Sequence, residues 1–159
     1  MAGDIVKLSE AAAVCGLELT ASIYPKGEPL RDRGQLKLIA RFRSMLSVAW
    51  HVRMEAPFPT LGDLRSWDVL IRLGTDYRIG VEAETRVRDI QELVRRIRQR
   101  ELHGGVDEIL VILSDSAHNR RVVGELREAL GECYTASPQA LRDVLRSGTL
   151  LPGSGVILL

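Results

Sequence analysis

The spacing of apolar residues changes period repeatedly along the chain, and each change marks an element. Ile5, Leu8, Ala12 and Cys15 share one helical face over 4–15. Leu17, Leu19, Ala21 and Ile23 then alternate with Glu18, Thr20 and Ser22, which predicts a strand over 16–24. The stretch 25–34 carries Pro25 and Pro29 and reads as a loop, so an N-terminal extension (1–30) is expected to precede a core domain (31–159). Leu36, Ile39, Ala40, Phe42, Arg43 and Leu46 predict a helix over about 34–48. Strands are expected near 50–55, 66–73 and 77–84, the last two joined as an antiparallel hairpin by the tight turn GTDY. Val87, Ile90, Val94, Ile97 and Glu101, widened by Leu93 and Leu102, predict a helix over about 86–102. DEILVILS, 107–114, is apolar enough for a strand covered on both faces. A helix over 117–130 follows, then one opened by Ser137 as N-cap with Pro138 at its first position, and GVILL closes the chain as a short strand. A hairpin, a helical crossover and a buried strand imply an α/β domain, a mixed sheet flanked by helices on both faces.

Composition adds limits. With 159 residues, 45% hydrophobic and 27% charged, the chain is long enough for a sizeable core and has no low-complexity tract. A net charge of +1 creates no bulk field that demands an anionic partner. Lys7, Lys26 and Lys37 are the only lysines among 22 basic residues, so nothing beyond Lys37 supplies an ammonium group. Cys15 and Cys133 form no metal-ligand spacing with His51, His103 or His118. No apolar run approaches the length of a membrane span and no signal-peptide pattern opens the chain, so a cytoplasmic protein without membrane contact is expected.

Candidate chemistry lies on the hairpin. Glu82 and Glu84 project to one side of their strand while Val81 and Ala83 project to the other. Two carboxylates so close repel unless a cation lies between them. Asp68, at the start of the preceding strand, comes near them across the hairpin. Three convergent carboxylates suit a hard divalent cation such as Mg²⁺. The order helix–strand–strand–strand–helix–strand, with Asp68 on the second strand and Glu82-Ala83-Glu84 on the third, resembles the PD-(D/E)XK nuclease superfamily, the restriction-endonuclease-like fold, over roughly 34–114. The resemblance implies that Asp68 and Glu82 bind Mg²⁺ or Mn²⁺. Glu84 stands where the family places a water-activating lysine, and Trp67 stands where it places a proline. Gln91 matches a polar position that several members turn toward the metal.

The helix after the glutamates is loaded with arginines. Arg88, Arg95 and Arg98 line up with Gln91 beside the apolar seam and suit phosphate oxygens, with local ion pairing as the alternative. The segment VKLSEAAAVCGLELTASIYPKGEPLRD is similar to the stretch that follows the DNA-binding helices of Cro/C1-type helix-turn-helix regulators, although 1–30 holds no complete helix-turn-helix. Three readings stay open: a metal-dependent nuclease acting on nucleic acid, DNA in the first instance; a catalytically silent domain of the same fold serving DNA binding, sensing or homodimerisation in a transcriptional regulator; and an unrelated α/β interaction domain.

Overall fold

The computed structural model describes residues 33–159 and Val14; the helix, strand and regulator-like segment expected within 1–30 lie outside the described residues. The chain divides into two units at residue 30, and the second carries all that follows. Its elements are α1 (Arg33–Ser44), β1 (Trp50–Pro57), β2 (Ser66–Leu73), β3 (Tyr77–Glu84), α2 (Ile90–His103), β4 (Glu108–Leu113), α3 (Ala117–Leu130), a single 3₁₀ turn (Glu132–Tyr134), α4 (Pro138–Ser147) and β5 (Gly155–Leu158). The five strands form one mixed sheet in the order β1-β2-β3-β4-β5. The first three are antiparallel neighbours, and β4 and β5 are added in parallel. The expected α/β class is therefore found, with the hairpin strands at the predicted bounds.

Side-chain alternation builds two cores. Val69, Ile71, Ile79, Val81, Leu110 and Ile112 pack against Leu38, Ile39 and Phe42 of α1 and Leu141 and Leu145 of α4. Val111, Leu113 and Val156 pack on the other face against Leu93 and Ile97 of α2 and Leu126 and Leu130 of α3. The inner strand β4, between β3 and β5, is buried on both sides from Ile109 to Leu113, as its continuous apolar run predicts. The outer edge of β5 is covered by side chains: Arg127 Nη2 donates to the Val156 carbonyl at 2.9 Å and Arg142 Nη2 to the Leu158 carbonyl at 2.8 Å. Guanidinium groups thereby occupy acceptors that an edge strand would otherwise offer to another chain.

Alternation breaks at one place, and that break positions the candidate site. Met54 and Val69, paired across β1 and β2, belong to the α1–α4 core, whereas Ala56 and Trp67, paired two residues further on, belong to the α2–α3 core. Between them Glu55 has a φ of +47°, in the left-handed region that side chains other than glycine seldom adopt. The hairpin rolls over at this point. Trp67 swings onto the α2 side, where its indole N–H donates to the Gly104 carbonyl at 3.0 Å. A Cβ on Gly80 would meet its ring at 2.5 Å, so the strand beneath the indole has to be glycine. The β2–β3 ladder ends at Val69↔Val81, and the next residue on β2 is Asp68.

Two helices are shorter than their periodicity predicts. The first stops at Ser44 rather than near 48, because Met45 and Leu46 donate to the Phe42 and Arg43 carbonyls in a tightened last turn and Ser47 donates to Leu145 of α4. The second starts at Ile90 rather than 86, since Asp89 caps it by accepting from the Glu92 amide at 3.0 Å. Leu102, expected on the apolar stripe, is exposed. Residues 85–88 leave β3 as a bent, non-helical segment held by the fully buried Asn119 at the start of α3. Its Nδ2 donates to the Thr85 and Ser114 carbonyls at 3.0 and 2.8 Å, and its Oδ1 accepts from the Val87 amide at 3.1 Å. His118 Nε2 donates to the Val87 carbonyl at 2.6 Å. This clamp fixes the exit of β3 against the exit of β4. Asn119→Ala would strand three backbone groups, the Val87 amide among them fully buried, and unfolding free energy in urea should fall by about 3 kcal/mol. A loss under about 1 kcal/mol would show that water replaces the amide.

Candidate functional site: a carboxylate cluster held by arginines

Where β2 leaves β3, the freed backbone N–H of Ala83 needs an acceptor. Asp68 supplies it: Oδ2 accepts from Ala83 at 2.8 Å and from Gln35 Nε2 of α1 at 3.2 Å. Gln35 Nε2 also donates to the Ala83 carbonyl at 3.1 Å. Asp68 therefore sits in the strand gap on the α1 side, substituting for a ladder bond.

Glu82 and Glu84 share the opposite face, as alternation predicts, and look toward α2. Arg96 reaches both, with Nε 3.2 Å from Glu82 Oε1 and Nη2 donating to Glu84 Oε1. Arg100 closes the cluster, with Nε 3.3 Å from Glu82 Oε2 and Nη1 donating to the Ser66 carbonyl at 2.5 Å. Arg100 also lies 5.6 Å from the ring centroids of both Phe58 and Trp67, so the rolled-over indole forms one wall of the site. On this face two carboxylates, Glu82 and Glu84, therefore meet two guanidinium groups, Arg96 and Arg100.

The repulsion between the two glutamates is thus answered by guanidinium groups from within the chain. Glu82 is 4% exposed and Arg100 6%, so both ions have lost nearly all hydration. Burial pushes the Glu82 carboxyl up to about 7, Arg100 opposes this, Asp68 adds to it, Arg96 opposes and Glu84 adds. For Arg96, burial works against the charge, but Glu82 and Glu84 outweigh it and raise its pKa. The ions attract without full alignment: Glu82 Oε2 and Arg96 Nε are buried with no hydrogen-bond partner of good geometry.

The residues singled out from the sequence divide. Asp68, Glu82 and Glu84 lie within electrostatic reach of one another. Gln91 is exposed, and at 100° per residue it points away from Arg100, nine positions on. Arg88 and Arg95 are exposed as well. Arg98 is tied elsewhere: Nη1 contacts Glu101 Oε2 at 2.9 Å, Nη2 donates to the Leu130 carbonyl, and the guanidinium lies 6.0 Å from the Tyr134 ring centroid. The arginines that meet the acids, Arg96 and Arg100, fall in step with Leu93 and Ile97 on the inward face of α2. Charges placed at core positions of an amphipathic helix are the sequence signal that identifies them.

The donor set as arranged does not fit Mg²⁺ or Mn²⁺. The glutamate oxygens face guanidinium groups, Asp68 serves backbone and amide donors, and among the described residues no group of three or more His, Cys, Asp or Glu side chains is arranged to hold a metal. Compared with protein-family models, curated proteins and solved structures, the chain matches none at a significant level.

A carboxyl that holds its proton to higher pH in the folded than in the unfolded state favours folding at low pH. Between 4.5 and about 7 the folded protein binds more protons at Glu82, so this contribution is present below 4.5 and lost as pH rises to about 7. Glu82→Gln should therefore remove a fall in unfolding free energy on the order of 3 kcal/mol across that window. Denaturant titrations at several pH values would show it; superimposable profiles for variant and wild type would place the titration elsewhere.

Proposed function

We propose that residues 31–159 are a restriction-endonuclease-like domain whose acidic centre is held by ion pairs in place of a metal. In this reading the domain cleaves nothing. It is the DNA-contacting, sensing or dimerising part of a cytoplasmic transcriptional regulator. The observation that carries the reading is Arg96 bridging Glu82 and Glu84 while Arg100 covers Glu82. A metal would have to displace one guanidinium and leave another facing a second cation. Glu84 in place of the lysine that the resemblance implies fits the same conclusion, because it adds negative charge where water activation needs a base paired with a cation. Among the described residues no helix is long and apolar enough to cross a membrane.

One observation favours the alternative, a Mg²⁺- or Mn²⁺-dependent nuclease using Asp68, Glu82 and Glu84. Asp68 is close enough to raise the pKa of Glu82, and an acid pair of that kind is what a cation relieves. The two readings part in one experiment. With millimolar Mg²⁺ or Mn²⁺ the melting temperature should stay unchanged, and plasmid DNA and RNA should stay intact. Metal-dependent cleavage that disappears in Asp68→Ala, with the fold retained by circular dichroism, would establish the nuclease reading instead.

A further inference from the structure

At the end of the hairpin away from the acidic cluster, three strands present a row of basic side chains. His51 pairs with Arg72 across β1 and β2, and Arg72 pairs with Arg78 across β2 and β3. All three are exposed. Their neighbours Ile71 and Ile79 are fully buried in the core under α1 and α4, so alternation sends Arg72 and Arg78 to the other face of the sheet. His51 shares that face because Trp50 beside it belongs to the same core as Ile71. Arg53, exposed and two residues beyond His51, projects the same way and lies opposite Leu70.

Like charges directly opposite one another on a sheet destabilise it. Here the repulsion is not relieved within the described residues: no carboxylate forms an ion pair with His51, Arg53, Arg72 or Arg78. The acid next in line, Asp107, uses Oδ2 to accept from the Arg78 backbone N–H at 2.8 Å. The sheet gains nothing from the row in packing, since the inward residues of the same strands fill the core. An external anion would relieve it.

The geometry points to a nucleic-acid backbone as the partner of the His51–Arg72–Arg78 row with Arg53. Adjacent strands lie about 4.8 Å apart, so the row is about 10 Å wide. Phosphates of one strand follow each other at about 3.4 Å along the helix axis, so the row spans about three of them. Arginine forks donate to phosphate oxygens in pairs, and an exposed row without base-reading pockets holds a backbone without reading its sequence. This inference shares with the regulator reading only the expectation of a nucleic acid. Metal binding and cleavage report on the acidic centre, and salt dependence reports on the row.

The test is binding of the full chain to a fluorescein-labelled duplex, followed by anisotropy over a range of salt. Arg72→Gln/Arg78→Gln should weaken binding to unrelated sequences alike and flatten the slope of log K against log salt by about 1.8, two contacts at about 0.9 each. The variant should melt no lower than wild type, because a like-charged pair has been removed. Arg43→Gln/Arg146→Gln, the same change of charge on helices of the opposite face, should leave the slope nearly unchanged. An unaltered slope in the first variant, an equal flattening in the second, or Arg72- and Arg78-dependent binding to phosphatidylserine vesicles without DNA binding would each overturn the inference.

Discussion

The buried carboxylate of Glu82 constrains more of this domain than any other group. It stands on the strand at the centre of the hairpin-to-crossover connection, and it has to be neutralised where water cannot reach. Arg100 can do so only if the last turn of α2 is brought over the sheet, and Arg96 only if the turn before it faces inward. Both requirements fix the rotation and depth of α2. The bent, non-helical 85–88 segment and the Asp89 cap then follow, because a helix starting at 86 would present its turns to the sheet from a different starting point. Asn119 and His118 hold that segment in place from α3.

The roll of the β1–β2 hairpin belongs to the same arrangement. With regular alternation Trp67 would lie under α1, and Arg100 would have no aromatic wall. The positive φ at Glu55 transfers Ala56 and Trp67 to the α2 side and opens the gap into which Asp68 reaches. Glycine at 80 and 104 provides room for the indole. A strained backbone residue, two glycines, an aspartate that substitutes for a ladder bond and a tryptophan on an unexpected face are consequences of one local inversion.

The α/β class, the element order and the hairpin bounds are legible in the sequence because they rest on periodicity, and periodicity is local. Residues 66–73 and 77–84 alternate, 109–113 is uniformly apolar, and Ser137-Pro138 announces a helix. The nearness of Asp68 to Glu82 follows from hairpin geometry, but its place on the opposite face of the sheet from the glutamates does not, because that depends on the inversion at Glu55. What answers the charge of these acids does not follow from it either. Arg96 and Arg100 read as two more members of an arginine-rich helix until the helix is turned to show that they are in step with Leu93 and Ile97. Gln35 lies 33 residues before its partner Asp68, a separation that no local pattern spans. The start of α2 was legible in principle, since Asp89 and Glu92 have capping-box spacing, but Val87 extends the apolar stripe past the true cap.

Arginine, used here almost to the exclusion of lysine, takes four physical roles on one small sheet. Arg96 and Arg100 neutralise buried acids, which a rigid, weakly hydrated fork does better than an ammonium. Arg127 and Arg142 occupy the outward carbonyls of the edge strand. Arg98 satisfies the carbonyl end of α3 at Leu130. Arg53, Arg72 and Arg78 have no internal acceptor among the described residues and face solvent together. The first three roles are closed: each guanidinium is matched by an acceptor that the fold itself provides. The last leaves like charges facing one another across neighbouring strands, on the side of the sheet that the helices do not fully cover. A net charge near zero therefore conceals a division of labour: acids and carbonyls of the fold absorb Arg96, Arg98, Arg100, Arg127 and Arg142, and the row of Arg53, Arg72 and Arg78 remains available to a partner.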